Sequence, residues 1–421
     1  MNTTFSGLPS VSSRPGLWML ALVAFTVPLP LRVNAVAMGL LVLAWLLERG
    51  WQRFGSIGPL WWWIAGSAGL FAFGALSLAW SGNVEAARFG IEKQLGLLLL
   101  PIVVSTVVRD AADYRLLVRS FLLGVAGSLA FCWLVALGSF AFMGYLPTYH
   151  DFAVPIASHA GYFALFVLMG MVLVLSPGSV APVVPRKWWP WAIVFGLASL
   201  LALASRLFLG LGVLYLLVWL LLQLRSNVRG ASMVVAAGVL VVIVTMLAFS
   251  NPVQQRFADL TQGSTEVLTQ QEFTYASELN GFNLRLLYWR LAGEVLNEEG
   301  AWLAGVGLGD AQAALDARYK ALGIFTGDPS RGDSGYLGYN FHNQLLQTLV
   351  QLGVPGLLLL LLAIAGLARA AVKLHFTTGL VLVACLCLFL LVESAFERQR
   401  GIVVFVLLGG LIQAYREAAR A

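Results

Sequence analysis

The sequence predicts an all-α polytopic membrane protein with about twelve transmembrane helices and one large helical loop outside the bilayer. Composition is the first reason: the 421 residues are 59% hydrophobic and only 11% charged, with a mean hydropathy of +0.84. A soluble domain carries roughly 25% charged residues, so this chain cannot cover itself with a water-facing surface. Segmentation is the second reason, because the apolar residues form runs near the length of about 20 residues that crosses a bilayer.

Twelve apolar segments follow one another along the chain. The first two and the last are short and are expected either to tilt or to pack as a broken hairpin. The cysteines lie within apolar runs and are predicted to be buried hydrophobic residues without disulfides. The predicted segments are residues 17–30, 33–48, 59–81, 85–107, 116–142, 157–176, 188–205, 207–224, 231–250, 341–367, 376–393 and 401–414.

Basic residues are unequally divided between the two ends of these segments. Fourteen lysines and arginines fall in the connections at one end, whereas outside the long loop only Arg32, Arg206, Arg398 and Arg400 fall at the other. The positive-inside rule therefore places both termini in the cytoplasm and the 90-residue stretch 251–340 on the outer side.

The chain is accordingly predicted to have three parts. Residues 1–250 carry nine transmembrane helices, residues 251–340 form an outer loop domain, and residues 341–421 carry three more helices. The cytoplasmic connections are too short for a nucleotide-binding domain, and no GxxxxGK[ST] motif occurs.

The loop domain is predicted to contain two helices, residues 282–296 and 310–322, the second with its N-cap at Asp310. Between them, the sequence Gly305-Val-Gly-Leu-Gly309 predicts a tight turn. A phosphate-binding loop is the weaker interpretation, because the GxGxxG spacing is missing and no strand precedes the glycines.

His342 is the strongest candidate for a catalytic residue. It stands where the polar loop domain meets the next apolar segment, in the sequence FHNQLLQTLVQLGVPGL, and Asn343 follows it as a secondary candidate. A titratable imidazole at the membrane boundary is suited to proton transfer.

Two outer arginines are candidate ligands for phosphate groups. Arg206 stands in the turn between two segments, where phosphate binding and snorkelling toward lipid headgroups fit its position equally. Arg285 lies one helical turn before Trp289 and has no acidic residue four positions on, with a cation–π contact as its alternative role. Arg290 does have such an acid, Glu294, and is expected to pair with it.

Three further residues are weaker candidates. Arg88 shares a helical face with Glu85 and Glu92 and is expected to be neutralised by them. Lys93 points elsewhere and is a candidate for binding an anionic lipid head. His159 begins a segment and could line an outer cavity, although a satisfied hydrogen bond is the more common role for such a histidine.

These residue types suit one kind of chemistry. No histidines, cysteines or paired acids have the spacing of a metal site, so no metal and no other cofactor is expected. An outward-facing enzyme has no ATP or nucleotide sugars to use, whereas a lipid-linked pyrophosphate donor is already activated. A histidine base would take the proton of an attacking hydroxyl, and arginines would stabilise the departing pyrophosphate.

The pattern His342-Asn343-x9-Gly353-x2-Gly356 resembles the histidine motif of the bacterial O-antigen ligases. These ligases belong to a wider group with the O-antigen polymerases and the O-linking oligosaccharyltransferases. The predicted topology is also similar to that group, as are three short elements: Ser205-Arg206, Arg285-x3-Trp289 and Gly305-Val-Gly-Leu-Gly309.

The resemblance implies a glycosyltransferase-C-like fold and a specific reaction. O-antigen glycan would pass from undecaprenyl pyrophosphate to lipid A-core oligosaccharide, on the periplasmic side of the bacterial inner membrane. It further implies a metal-independent, inverting transfer in which His342 is the base and Arg206 and Arg285 bind the pyrophosphate. The expected partners are therefore the two glycolipids and membrane lipids, and no nucleic acid.

Alternatives remain open inside and outside this enzyme class. An O-antigen polymerase is expected to have two substantial outward loops, where this chain has one, and an O-linking oligosaccharyltransferase is expected to be longer. A twelve-helix transporter or flippase usually shows two related halves, which this sequence does not.

Overall fold

The computed structural model describes residues 14–56, 58–176, 183–223, 229–248, 265–274, 277 and 279–420. Within these residues the secondary structure is helical and no β-strand forms, apart from one isolated bridge between Asp328 and Asp333. The predicted all-α class is therefore confirmed for the described part of the chain. The predicted domain boundary after residue 250 and the start of the loop domain lie outside the described residues.

Each predicted apolar segment coincides with an α-helix. These helices are α1 (Pro15–Thr26), α2 (Leu31–Leu47), α3 (Trp61–Leu76), α4 (Val84–Val107), α5 (Ala111–Met143), α7 (Ala160–Val174, preceded by the short α6, His150–Ala153), α8 (Trp189–Ala202), α9 (Arg206–Gln223), α10 (Arg229–Ala248), α13 (Gln344–Lys373), α14 (Thr377–Leu390) and α15 (Gln399–Arg420). Two more, α11 (Gly281–Glu298) and α12 (Ala311–Ala321), belong to the loop domain.

Five helices among the described residues are long and apolar enough to cross a membrane. They are α3 with its flanking 3-10 turns, α4, α5, α9 and α13, and the bent unit of α6 and α7 makes a sixth if it forms one broken span. The chain is thus a multi-pass membrane protein, and the total of twelve spans stays a prediction.

Glycine allows the central helices α3 and α13 to touch. A Cβ on Gly66 would stand 2.5 Å from the backbone nitrogen of Ala363, and one on Gly366 would stand 2.3 Å from that of Trp63. Lipid tails solvate apolar side chains as well as a neighbouring helix does, so close backbone approach at small residues is what favours association. This contact fixes the position of α13, the helix that begins directly after the candidate site.

The start of α1 and the end of α15 lie at the same end of the helix bundle. Arg14 donates a hydrogen bond of 2.8 Å to the Val107 carbonyl, at the end of α4. Arg109, just beyond it, lines one polar cavity together with Glu417 of α15. The other end of α4 contacts the loop domain, so the start of α1 and the end of α15 lie opposite that domain. Their assignment to the cytoplasm stays a prediction.

The loop domain has its own hydrophobic core. Tyr288 and Leu291 of α11 and Tyr319 of α12 are completely buried in it. The first turns of α13, as far as Val350, enter the same core. The loop domain therefore packs directly on the helix that follows His342.

The glycine-rich turn of residues 305–309 is a structural connection, as predicted. The Val306 and Gly307 amides donate to the Val350 and Gln351 carbonyls of α13, at 2.9 and 3.0 Å. Because these amides are already bonded to protein, they cannot cradle a phosphate.

Asp310 stands at the N-cap of α12, but its side chain does not cap that helix. Its carboxylate instead accepts the Gly82 and Asn83 amides, at 2.7 and 2.9 Å. The predicted local cap is therefore wrong, because the carboxylate satisfies amides at the start of α4 and so ties the loop domain to the membrane helices.

Candidate active site

His342 lies in a sharp turn immediately before α13. The helix begins at Gln344, not at 341 as predicted, because the side-chain oxygen of Asn343 caps it by accepting the amides of its second and third residues, at 2.9 and 3.2 Å. The His342 backbone has a φ of 44°, a left-handed conformation that costs about 1–3 kcal/mol for a residue with a side chain. Its amide donates to the Asn340 side chain at 2.9 Å, which helps to hold the turn.

The imidazole of His342 packs between aromatic rings and a buried carboxylate. The Tyr288 ring is stacked on it, with centroids 5.7 Å apart and 15° between the planes, and the Tyr339 ring lies 6.0 Å away. Nδ1 is 3.4 Å from Oε2 of Glu393, an ion-pair distance at which the two atoms are not aligned for a good hydrogen bond. No described residue bonds to Nε2, which is therefore the nitrogen available to accept a proton.

Glu393 is the site residue that the sequence interpretation missed. The sequence predicts Glu393 at the end of the apolar segment 376–393, whereas α14 ends at Leu390 and Glu393 stands in the connection beyond it, only 7% exposed. Burial acts to raise the pKa of this carboxyl, but the close contact and charge of His342, together with the charges of His159 and Arg398, hold the pKa below its usual range. The residue therefore presents a negative charge to Nδ1. An acid ending an apolar run was the available signal.

Three glutamines on one face of α13 hold the connection that carries Glu393. All three are buried, so each hydrogen bond is made away from water, where an unpaired polar group would be costly. The contacts join Gln344 to the Phe396 amide (2.6 Å), Gln347 to the Ser394 hydroxyl (3.3 Å) and Gln351 to the Glu397 carboxylate (2.8 Å). The helix that begins after His342 thus also positions the partner of that histidine.

The two predicted phosphate-binding arginines meet at one cavity of about 340 Å³ beside the loop domain. Both approach Gly281, where a Cβ would stand 3.2 Å from Nη2 of Arg206 and 3.6 Å from Nη1 of Arg285. Arg285 also donates to the Gly281 carbonyl at 2.6 Å, which fixes one arm of its guanidinium. Two forked cations from distant parts of the chain therefore face one space, an arrangement suited to a pyrophosphate.

His342 itself is not among the residues that line this cavity, and Glu393 is the lining residue that contacts it. Glu393 and His159 line the cavity on the side of the membrane connections, and Trp289 lines it on the side of the loop domain. Its apolar lining includes three phenylalanines, Phe208, Phe282 and Phe389. A charged headgroup with an apolar neighbour, as in a lipid pyrophosphate, matches such a mixed wall.

Arg290 points away from this cavity. Its Nε pairs with Glu294 at 2.6 Å, as predicted, and its Nη1 donates to the Val267 carbonyl at 3.1 Å. Burial acts to raise the pKa of Glu294, but hydrogen bonds from Arg318 and Arg290 hold it below the usual value. Arg290 thus stabilises the loop domain and is not placed to bind a ligand of the cavity.

Lys93 and Arg88 also lie apart from the cavity wall. Nζ of Lys93 is 3.2 Å from Glu397, a partner 304 residues away that spacing cannot reveal. Arg88 is exposed, and the neutralisation predicted for it is not seen, since no ion pair joins it to Glu85 or Glu92.

The first glycine of the histidine motif has a structural role. Gly353 adopts a φ of 62° inside α13 and bends it. A Cβ there would stand 2.5 Å from the Leu303 carbonyl carbon, and the next amide, of Val354, donates to the Trp302 carbonyl at 2.9 Å. Gly353 therefore lets the loop domain dock on α13 close to the site.

Comparison with known proteins agrees with this architecture. Residues 191–361 match the family model described as O-antigen ligase. No characterised protein sequence matches the chain. The matched segment contains Arg206, Arg285 and the whole histidine motif. Over these residues the chain is similar to the O-antigen ligase family.

Proposed function

We propose that the protein is an O-antigen ligase that transfers O-antigen glycan from undecaprenyl pyrophosphate to lipid A-core oligosaccharide. One observation carries the proposal: Arg206 and Arg285 converge on a cavity whose wall includes Glu393, the residue that faces His342. The family match supports glycosyl transfer of the ligase or polymerase type in general. The particular donor, the acceptor and the role of each residue are parts of the proposal.

The reaction is a single displacement. The acceptor hydroxyl gives its proton to Nε2 of His342 as its oxygen bonds to the anomeric carbon. The bond from that carbon to the pyrophosphate oxygen breaks, and its electron pair leaves with the pyrophosphate, whose charge Arg206 and Arg285 stabilise. The carboxylate of Glu393 stabilises the imidazolium from the Nδ1 side. No general acid is required, because pyrophosphate is a good leaving group.

The proposal includes a membrane arrangement. The twelve helices form a glycosyltransferase-C-like bundle in the bacterial inner membrane, with nine helices in residues 1–250, the loop domain in residues 251–340 and three helices in residues 341–421. Both termini are cytoplasmic, and the cavity opens to the periplasm. The excess of basic residues at the end opposite the loop domain supports this orientation.

Purified protein mixed with lipid-linked glycan and lipid A-core is expected to form the joined product and to release undecaprenyl pyrophosphate, in excess EDTA as well as without it. An α-linked donor should give a β-linked product by NMR, because one displacement inverts the anomeric carbon. Loss of turnover on chelation, restored by Mg²⁺ or Mn²⁺, would contradict the metal-free mechanism. Retention of configuration would contradict the single displacement.

The same assay separates the alternatives. Lengthening of the lipid-linked glycan without consumption of lipid A-core would identify a polymerase, and binding or transport without release of undecaprenyl pyrophosphate would identify a transporter.

Glu393→Gln is expected to lower kcat for transfer by on the order of 10²-fold, since the imidazolium loses its compensating charge while the side-chain volume is kept. Glu397→Gln is the matched control. It removes a carboxylate from the same connection, one that pairs with Lys93 and Gln351, and it should keep kcat within about threefold. Equal losses of kcat in both variants would show that transfer depends on the folding of the connection after α14 and not on the negative charge beside His342.

A further inference from the structure

The two ring nitrogens of His159 have different surroundings. Nδ1 accepts the Gly161 amide at 3.2 Å and so caps α7. The ring packs against His150, with centroids 4.4 Å apart, and the preceding Ser158 accepts a hydrogen bond of 2.9 Å from Arg400. These contacts fix the ring in the wall of the active-site cavity.

The cap determines which nitrogen carries the proton. A ring nitrogen that accepts an amide hydrogen cannot carry one itself, so the neutral imidazole is protonated at Nε2. Nε2 makes no hydrogen bond to a described residue. Because Nδ1 faces the backbone of its own helix, Nε2 is the polar atom of the ring that remains for an occupant of the cavity.

We propose that Nε2 of His159 donates a hydrogen bond to an oxygen of the donor pyrophosphate, as a third ligand beside Arg206 and Arg285. This inference rests on the proposed function, and it adds an uncharged side chain to the two arginines proposed to bind the pyrophosphate. Both guanidiniums and the Nε2–H group can only donate, and pyrophosphate oxygens at neutral pH can only accept. Glu393, the carboxylate on this wall, faces His342 and is assigned to the imidazolium, not to the pyrophosphate.

Two substitutions separate the ligand role from the capping role. In His159→Asn the side-chain oxygen can still accept the Gly161 amide, since asparagine is among the best N-caps, but no donor remains at the position of Nε2. In His159→Gln the amide nitrogen reaches approximately the position of Nε2, whereas the cap is lost. The probe is undecaprenyl pyrophosphate itself, whose Kd is measured in detergent without acceptor, alongside the Tm of each variant.

His159→Asn is expected to bind undecaprenyl pyrophosphate roughly tenfold more weakly than the wild type, with an unchanged Tm. His159→Gln should bind within about threefold of the wild type but melt at a lower temperature. Wild-type affinity in the asparagine variant would overturn the inference, and so would equal losses in both variants, which would indicate packing of the ring.

The readout is independent of turnover. If the wild type binds undecaprenyl pyrophosphate but transfers no glycan, the proposed ligase activity is wrong while the two variants still decide the role of His159. If the wild type does not bind this lipid, both proposals are wrong. If His159→Asn raises the KM for lipid-linked glycan but leaves the Kd for undecaprenyl pyrophosphate unchanged, the hydrogen bond goes to the sugar. That result would overturn the assignment to pyrophosphate.

Discussion

His342→Ala is expected to abolish glycan transfer, with kcat lowered by about 10²–10⁴-fold, while the protein remains folded and inserted. The substitution removes the only proton acceptor proposed for the attacking hydroxyl. It leaves the cap by Asn343 and the hydrogen bond from the backbone amide in place. Single-turnover transfer by the purified variant, with a melting curve, is the measurement. Transfer near the wild-type rate would end the assignment of His342 as general base.

His375→Ala is the matched control for this variant. His375 is exposed in the short connection after α13, and its φ of 51° is close to the 44° of His342. Both substitutions therefore replace histidine by alanine in the same left-handed conformation, so any backbone effect is shared. Only the substitution at His342 should affect transfer.

Arg206→Ala and Arg285→Ala are each expected to lower kcat/KM by about 10²–10³-fold, because the charge developing on pyrophosphate loses one of its two forked donors. Lysine at either position should recover little, since a single ammonium cannot reproduce the paired N–H groups of a guanidinium. Full activity of both lysine variants would show that a point charge suffices and that the bidentate contact is wrong.

Arg290→Lys provides the contrast on the same helix as Arg285. Arg290 bonds to Glu294 and to the Val267 carbonyl inside the loop domain, away from the cavity. Its replacement should lower the Tm while leaving kcat/KM for the folded protein within about threefold. A large loss of transfer without loss of stability would indicate that Arg290 contacts substrate after all.

Much of the fold followed from local pattern. Every predicted apolar segment is a helix, because hydropathy over about 20 residues reports on the surroundings of each segment directly. The two loop-domain helices also fall within a few residues of their predicted bounds. Helix starts were less well predicted, since α13 begins at Gln344 only because Asn343 turns its side chain back to cap it.

Contacts between segments could not be read from spacing. The carboxylate of Asp310 satisfies amides before α4, and Lys93 pairs with Glu397 across 304 residues. From spacing, Asp310 is expected to cap its own helix and Lys93 to bind an anionic lipid head, but a partner that is distant in sequence and brought close by helix packing satisfies each of them instead.

In the candidate site, too, the sequence predicted the residues and the tertiary structure determined their contacts. The sequence by itself determined which residues were candidates, because a histidine and arginines at the outer boundary of an apolar chain are costly unless they have a role. Only the tertiary structure decided that Arg206 and Arg285 face one cavity, that Glu393 faces His342, and that Nδ1 of His159 accepts the Gly161 amide. The reason is physical: proton position and charge pairing depend on atoms within a few ångströms of one another, and those atoms come from segments that only the packed helices bring together.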